Sequence, residues 1–336
     1  MKYFYSLFGL AIASELEFAN LIPAATTENP DYTIILGKTP DKIDGTQCGI
    51  SAYATPREFL FEVKNIARFY CANKLIIVDK HPHADNQDIK VFLLRTVFTY
   101  LLNQQQYLVL SGTALLVQDK ALIIASTASN GKSSLGYSLS KIYNYPIISD
   151  GLLVLKEHGW PFTVIPDSIR DPDFEIPKHQ NTAKKTISIV PNLTPVTLWQ
   201  NCCDALGVEY ANLTKVRQNM LKYEIPTTVE FPQSLEVANI INLKIHTQAE
   251  PLITEITSTS KIDTILNLAS MTPLVTQTQN TKANFVHSVK LANQTRVLEI
   301  IRPRKYSYQE FAKFVADNLL PTTSLQNDIS TTGKMA

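Results

Sequence analysis

The chain has 336 residues, enough for one large domain or two moderate ones, and 45% of them are hydrophobic, enough to bury a sizeable core. Its 31 basic and 30 acidic residues leave a net charge of +1, a balance with no electrostatic footprint for nucleic acid or an anionic membrane. The four cysteines, Cys48, Cys71, Cys202 and Cys203, lack C-x-x-C spacing and the last two are adjacent, so neither a disulfide framework nor a zinc site is indicated and reduced thiols in a cytoplasmic protein are expected.

The opening stretch MKYFYSLFGLAIASELEF carries a lysine, a short apolar run and Ala-Ile-Ala at 11–13, the outline of a secretory signal. Aromatics at Tyr3, Tyr5 and then Phe8, and an apolar run of only residues 7–13 broken by Gly9, favour a β-strand instead. Short strands are expected at 32–36, 59–63, 67–70 and 74–78, with turns at Asn29-Pro30-Asp31, Asp44-Gly45 and Asn73. His81, His83 and Asp85 sit in a polar stretch that reads as a solvated loop before a metal site. From 86 to 106 the period changes. Ile89, Phe92, Leu93, Val97, Tyr100 and Leu101 recur at three and four residues, one apolar face of a helix capped by Asp85 or Asn86.

Buried strands follow at 108–117 and 121–125 around a turn at Asp119-Lys120, then a loop and a helix with Leu135, Leu139 and Ile142 on one face, ended by Tyr145-Pro146. A strand begins at 147–150. Beyond it the sequence predicts a Pro- and Asp-rich loop at 161–177, a helical stretch near 196–206, a strand at 237–245, a helix at 262–269, a strand at 297–301 and a helix at 308–320. Residues 246–261 and 272–296, rich in Thr, Gln and Asn, read as connections, and the polar tail 321–336 as disordered. No run of 18 apolar residues occurs, so no membrane-spanning helix is expected.

The chemistry concentrates in ALIIASTASNGKSS, residues 121–134. Gly131, Lys132 and Ser133 fit the end of the phosphate-loop pattern G-x-x-x-x-G-K-[ST], but Ser126 stands where that pattern begins with glycine. Such a loop holds phosphate through inward N–H groups and the positive end of the following helix. Ser126, Thr127, Ala128, Ser129, Asn130, Gly131, Lys132, Ser133 and Ser134 are the expected nucleotide-binding residues. Lys132 would reach the terminal phosphates, and the Ser133 hydroxyl would sit on Mg²⁺. Serine at 126 needs a negative φ or accepted strain, and Asn130 is a side chain that tolerates left-handed backbone. Asp150 lies 18 positions beyond Lys132 at the end or bend of the next strand. Its carboxylate can hold Mg²⁺, take a proton from an attacking hydroxyl, or serve merely as a turn residue in Ser149-Asp150-Gly151.

Taken together these stretches resemble the HPr serine kinase-like group with its phosphoenolpyruvate carboxykinase-type phosphate loop, and in particular its peptide-tailoring branch, which includes kinases of lasso-peptide precursors. FGLAIASEL (8–16) is similar to that branch's opening strand. VFLLRTVFTYLLNQQQYLVLSGTALLV (91–117) is similar to its helix and the strand entering the kinase core. ALIIASTASNGKSSLGYSLSK resembles its loop and helix, YPIISDGLLVL its acidic strand, and RVLEIIRPRKYSYQEFAKFVADNL its closing strand and helix. The resemblance spans roughly 1–320 and rests on the order and spacing of several short motifs. This chain departs from it at Ser126, a glycine in the family; at Ser111, often histidine; and at Gly151, the second of two aspartates.

The resemblance implies an α/β fold: an HPr kinase C-terminal-like phosphate-loop core at 107–320, preceded by a smaller β-rich (α+β) domain at 1–106 with a recognition or structural role. It implies an ATP- and Mg²⁺-dependent kinase acting on a Ser/Thr hydroxyl of a peptide or protein, with Lys132 and Asp150 catalytic, Asp150 as base, and Ser133 and Asp150 on the metal. A catalytically weakened nucleotide- or peptide-binding protein of the same fold and a small-molecule kinase are the alternatives. Arg170, Arg302, Arg304 and Lys305 are basic groups able to reach phosphate or an acidic peptide, or simply solvated. Homo-oligomerisation and the choice among ATP, GTP and pyrophosphate as donor are left open.

Overall fold

The computed structural model describes residues 2–127, 129–157, 186–192, 194–227, 234–269 and 280–320. Ala128, Arg170 with the loop 161–177, and the tail 321–336 lie outside them.

The first 80 residues build one sheet. Strands β1 (Tyr3–Leu7) and β2 (Leu10–Ser14) form an antiparallel hairpin. Its two-residue turn puts Phe8 and Gly9 at φ of 56° and 76°, the left-handed pair such a tight loop needs. The apolar run 7–13 is therefore mostly the hairpin's second strand, paired with the aromatic-rich first. Next come β3 (Tyr32–Leu36), β4 (Thr46–Gly49), β5 (Ala52–Ala54), β6 (Glu58–Val63), β7 (Ala67–Ala72) and β8 (Leu75–Lys80), in the sheet order β1-β2-β3-β8-β7-β6-β5-β4. Strands β4 and β5 went unrecognised in the sequence because they are short and lack an apolar run.

The helical pattern from 86 onward is real but interrupted. Helix α1 (Asn86–Phe92) runs through a π-helical turn (Leu93–Val97) into α2 (Phe98–Gln104). The Asp85 carboxylate caps α1 by accepting the Asp88 N–H at 2.8 Å. Ile89, Leu93, Val97, Tyr100 and Leu101 are buried against the first sheet. The buried Lys90 ammonium meets Glu224 at 2.8 Å and donates to the Ala19 carbonyl, tying α1 to a strand far along the chain.

The second sheet holds β9 (Leu108–Val117), β10 (Lys120–Ala125), β11 (Ile147–Glu157), β12 (Ile187–Val190), β15 (Leu235–His246), β16 (Leu252–Ile256) and β17 (Arg296–Pro303), in the order β10-β9-β11-β12-β15-β17-β16. A parallel pairing of β10 with β15 closes the run from β10 to β15 on itself. Strands β13 (Val196–Trp199) and β14 (Lys222–Ile225) make a separate ladder. The helices are α3 (Lys132–Tyr143), α4 (Gln200–Leu206), α5 (Ser260–Leu268), α6 (Thr281–Gln294) and α7 (Tyr308–Leu319). Mixed parallel and antiparallel strands with helices on both faces make this an α/β molecule. Leu115, Leu122, Ile124, Ile241 and Leu298 pack with α3, α4 and α7. Leu110, Ile123, Leu153 and Val297 pack with α5 and α6.

Four expectations need correction. The stretch 196–206 is strand and then helix, because Val196 and Leu198 alternate into the core and pair with β14. Residues 281–294, read as a connection, form α6. Its inward face carries Asn284 and Ser288 beside Leu291, which hides the apolar period. Residues 252–256, also read as connection, form β16, and in α3 Leu135 and Leu139 are buried while Ile142 is 43% exposed. All four cysteines are buried and free. Among the described residues no helix is long and apolar enough to cross a membrane.

Two features carry testable consequences. A Cβ on Gly136 of α3 would lie 2.5 Å from Thr113 Cγ2 and 3.2 Å from its Cβ, so only glycine lets α3 approach β9. Helix propensity alone would make Gly136→Ala stabilising by ~1 kcal/mol, but overpacking a short β-branched side chain costs about 1–3 kcal/mol. We expect a lowered melting temperature, and a raised one would refute the contact. Lys90→Met should cost about 3–5 kcal/mol by stranding the buried Glu224 carboxylate, and Lys90→Met with Glu224→Gln distinctly less. Urea midpoints of the single and double variants read this directly.

Candidate functional site

Strand β10 delivers the chain into the loop 126–131, and α3 starts at Lys132. Gly131 is the N-cap, with left-handed φ 85° and ψ 27°, and no side chain caps the helix. The N–H groups of the first turn of this twelve-residue helix thus receive no cap from the Gly131 position, a condition shared by many anion sites. Ser126 keeps a negative φ, meeting the condition that its replacement of glycine imposes. Asn130 does not take the left-handed position. Its amide donates to Ser126 Oγ at 2.8 Å and to the Leu243 carbonyl of β15 at 3.1 Å, stapling the loop to the neighbouring strand.

Asp150 stands opposite Thr113 in the β9–β11 register, with Gly151 opposite Gly112 and Leu152 opposite Ser111. Its carboxylate is buried and collects donors from three elements. Oδ1 accepts the Thr113 hydroxyl at 2.5 Å and the Ser133 hydroxyl at 2.8 Å, and Oδ2 accepts the Thr197 N–H of β13 at 3.2 Å. The Asp150 carbonyl accepts the Thr194 hydroxyl at 3.1 Å. Asp150 lies within β11, where it is neither a strand end nor a simple turn residue. The bend follows it at Gly151, with φ 95° and open space where a Cβ would be.

Lys132, Ser133 and Asp150 therefore come together. Burial pulls the Lys132 pKa down, Arg95 lowers it further, and Asp150 opposes both. Lys222 of β14 is lowered by burial, then by Arg95 and Lys132, again against Asp150. Arg302 also approaches the loop, with Nη1 3.4 Å from a Cβ built on Gly131. It donates to the Tyr306 carbonyl at 2.8 Å and lies 4.6 Å over the Tyr308 ring. Arg304 and Lys305 are exposed. Ser111 shares the Thr113 and Asp150 face of the sheet but brings no imidazole.

The donor set fits magnesium. Ligands at right angles on an octahedral Mg²⁺ at 2.0–2.1 Å are about 2.9 Å apart, and Ser133 Oγ and Asp150 Oδ1 are separated by 2.8 Å. Among the described residues no group of three His, Cys, Asp or Glu side chains could hold a metal. The remaining positions would fall to phosphate oxygens and water, the usual habit of this ion.

Thr113, Thr197, Arg95 and Lys222 were not singled out from sequence. Thr113 was findable, since alternation on β9 places it on the same face as Ser111. The other three depend on tertiary placement.

No family model matches the chain, and no curated protein matches it. A solved structure, the HPr(Ser) kinase/phosphatase from Coxiella burnetii, matches over 62% of this chain and 94% of that one, at 11% identity and a TM-score of 0.27, a likeness too slight to bear on function.

Proposed function

We propose that this chain transfers the terminal phosphoryl group of ATP to a Ser or Thr hydroxyl of a peptide or protein. The observation that carries the reading is the 2.8 Å contact between Ser133 Oγ and Asp150 Oδ1 beside Lys132, at a helix N-terminus no side chain caps. The N–H groups of the loop and first helical turn hold phosphate oxygens, and Lys132 places a cation against the charge that spreads over them. Bound between Ser133, Asp150 and the phosphates, Mg²⁺ would supply further charge neutralisation.

The two carboxylate oxygens divide the work. Oδ1 is engaged by two hydroxyls, on the metal side. Among the described residues Oδ2 accepts only the Thr197 N–H, which leaves it a lone pair for the acceptor's proton. The acceptor oxygen forms a bond to phosphorus, the bond from phosphorus to the bridging oxygen breaks with its electron pair leaving on ADP, and the proton passes to Oδ2. The cleft at Asp150 has a volume of about 60 Å³ and is lined by Arg95, Gly151 and Thr197 among others.

A second reading, a nucleotide- or peptide-binding protein with weakened catalysis, draws on Gly151, which among the described residues leaves the site with one carboxylate for metal and base together. Incubation with ATP and Mg²⁺ separates the two. Phosphorylated peptide, read by mass spectrometry, should fall by about 10² or more in Lys132→Ala and by about 10²–10⁴ in Asp150→Asn. Wild-type protein that binds ATP yet phosphorylates no hydroxyl-bearing peptide supports the second reading. Protein that does not bind ATP overturns both.

A further inference from the structure

The small ladder of β13 and β14 has two faces of opposite character. Side chains alternate along a strand and directly paired residues share a face. Val196 and Leu198 of β13 and Tyr223 of β14 therefore lie on one side, in the core with α3, α4 and α7. Thr197 with its partner Glu224, and Trp199 with its partner Lys222, occupy the other. Thr197 and Glu224 line the cleft beside Asp150. Trp199 and Lys222 are the next pair along that same face, and there the wall comes out to solvent, with Trp199 47% exposed.

Charge is unevenly placed on this face. Glu224 is matched by Lys90 at 2.8 Å. Lys222 joins no ion pair among the described residues. Its ammonium rests 5.8 Å from the centroid of the Trp199 ring, an attraction that holds a lysine without neutralising it. The inner pair is thus electrically balanced, and the outer pair presents an exposed indole with a cation beside it. An aromatic ring next to an uncompensated cation suits a carboxylate whose methylene groups can lie on the ring.

Spacing ties the outer pair to the acceptor. The Thr197 N–H donates to Asp150 Oδ2 at 3.2 Å, and Oδ2 is the oxygen left for the acceptor's proton. Two residues of strand advance about 6.6–6.8 Å, and two residues of an extended peptide advance about as far. A Ser or Thr hydroxyl at Oδ2 therefore brings the side chain two positions away level with Trp199 and Lys222. We infer that Trp199 and Lys222 form a subsite for an acidic side chain of the acceptor peptide, two positions from the hydroxyl that receives phosphate. Lys222 pairs with the carboxylate and the indole covers its methylene groups. This rests on the phosphotransfer reading and adds to it a preference among acceptors.

The test measures phosphorylation of synthetic Ser peptides by the full chain with MgATP, with Asp or Asn placed at each position flanking the serine. Wild type is compared with Lys222→Gln, Lys222→Glu, Trp199→Ala and the control Arg57→Gln, an exposed arginine preceding β6. The readout is the ratio of kcat/KM for Asp over Asn within each variant, which a general loss of activity does not move. Wild type should favour Asp by about 5-fold or more at one of the two positions two residues from the serine. Lys222→Gln should bring that ratio to about one, Lys222→Glu should invert it, Trp199→Ala should lower it about twofold, and Arg57→Gln should leave it unchanged. A wild-type ratio near one at both positions, or a ratio unchanged in Lys222→Gln, overturns the inference while the kinase reading stands. A loss of MgATP affinity in Trp199→Ala, with the peptide ratio unchanged, assigns the ring to the nucleotide and overturns it as well. Wild-type protein that phosphorylates no peptide overturns the phosphotransfer reading, and this inference with it.

Discussion

The arrangement turns on one buried carboxylate. A desolvated carboxylate is costly unless hydrogen bonds replace its water, and Asp150 obtains them from β9, α3 and β13 at once. Each donor fixes an element. Thr113 locks the β9–β11 register, Ser133 sets the first turn of α3 against β11, and the Thr197 N–H brings in the small ladder that also carries Lys222. Gly136 belongs to the same device, since only a bare Cα lets α3 descend onto Thr113. The fold and the candidate site therefore share a single set of contacts.

The location of this carboxylate follows from how the core is divided. One face of β9 and β11 is claimed from two sides. Val109, Leu152 and Val154 join the core of the first sheet and α1–α2, while Leu115 packs under α3 and α7. Ser111, Thr113 and Asp150 occupy the seam between, where neither apolar cluster closes over the strands. Phe8 marks the strain this seam tolerates. It is a bulky residue at positive φ, held by packing 5.3 Å from the Phe98 ring and by its N–H donated to Asn192 at 3.1 Å. Lys90 and Glu224 bridge the seam from below. The N-terminal strands and helix accordingly furnish a wall of the cleft, and Arg95 with it.

What could be read from the chain and what could not divide along the same line. Strands β9, β10 and β11 announce themselves, because buried strands are continuous apolar runs. Segments whose inward faces are polar stayed hidden. Helix α6 buries Asn284 and Ser288, with Asn284 reaching Asn103 of α2 at 3.4 Å, so its hydrophobic period is weak although its burial is not. The pairing of Lys132, Ser133 and Asp150 was accessible from order and spacing. Arg95 and Lys222 were not, since they lie 127 positions apart and neither belongs to a motif. The π-turn is likewise invisible locally, for its register follows from what α1 and α2 each pack against.

The absent loop glycine can now be weighed. Glycine matters at the head of a phosphate loop where the backbone must turn left-handed or lie very close to phosphate. Among the described loop residues the left-handed one is Gly131, at the other end of the loop, while Ser126 has a negative φ and its Oγ accepts the Asn130 amide. Serine thus exchanges an unneeded freedom for a staple that reaches β15. The change at Gly151 is of another kind. Its φ of 95° suits glycine better than aspartate.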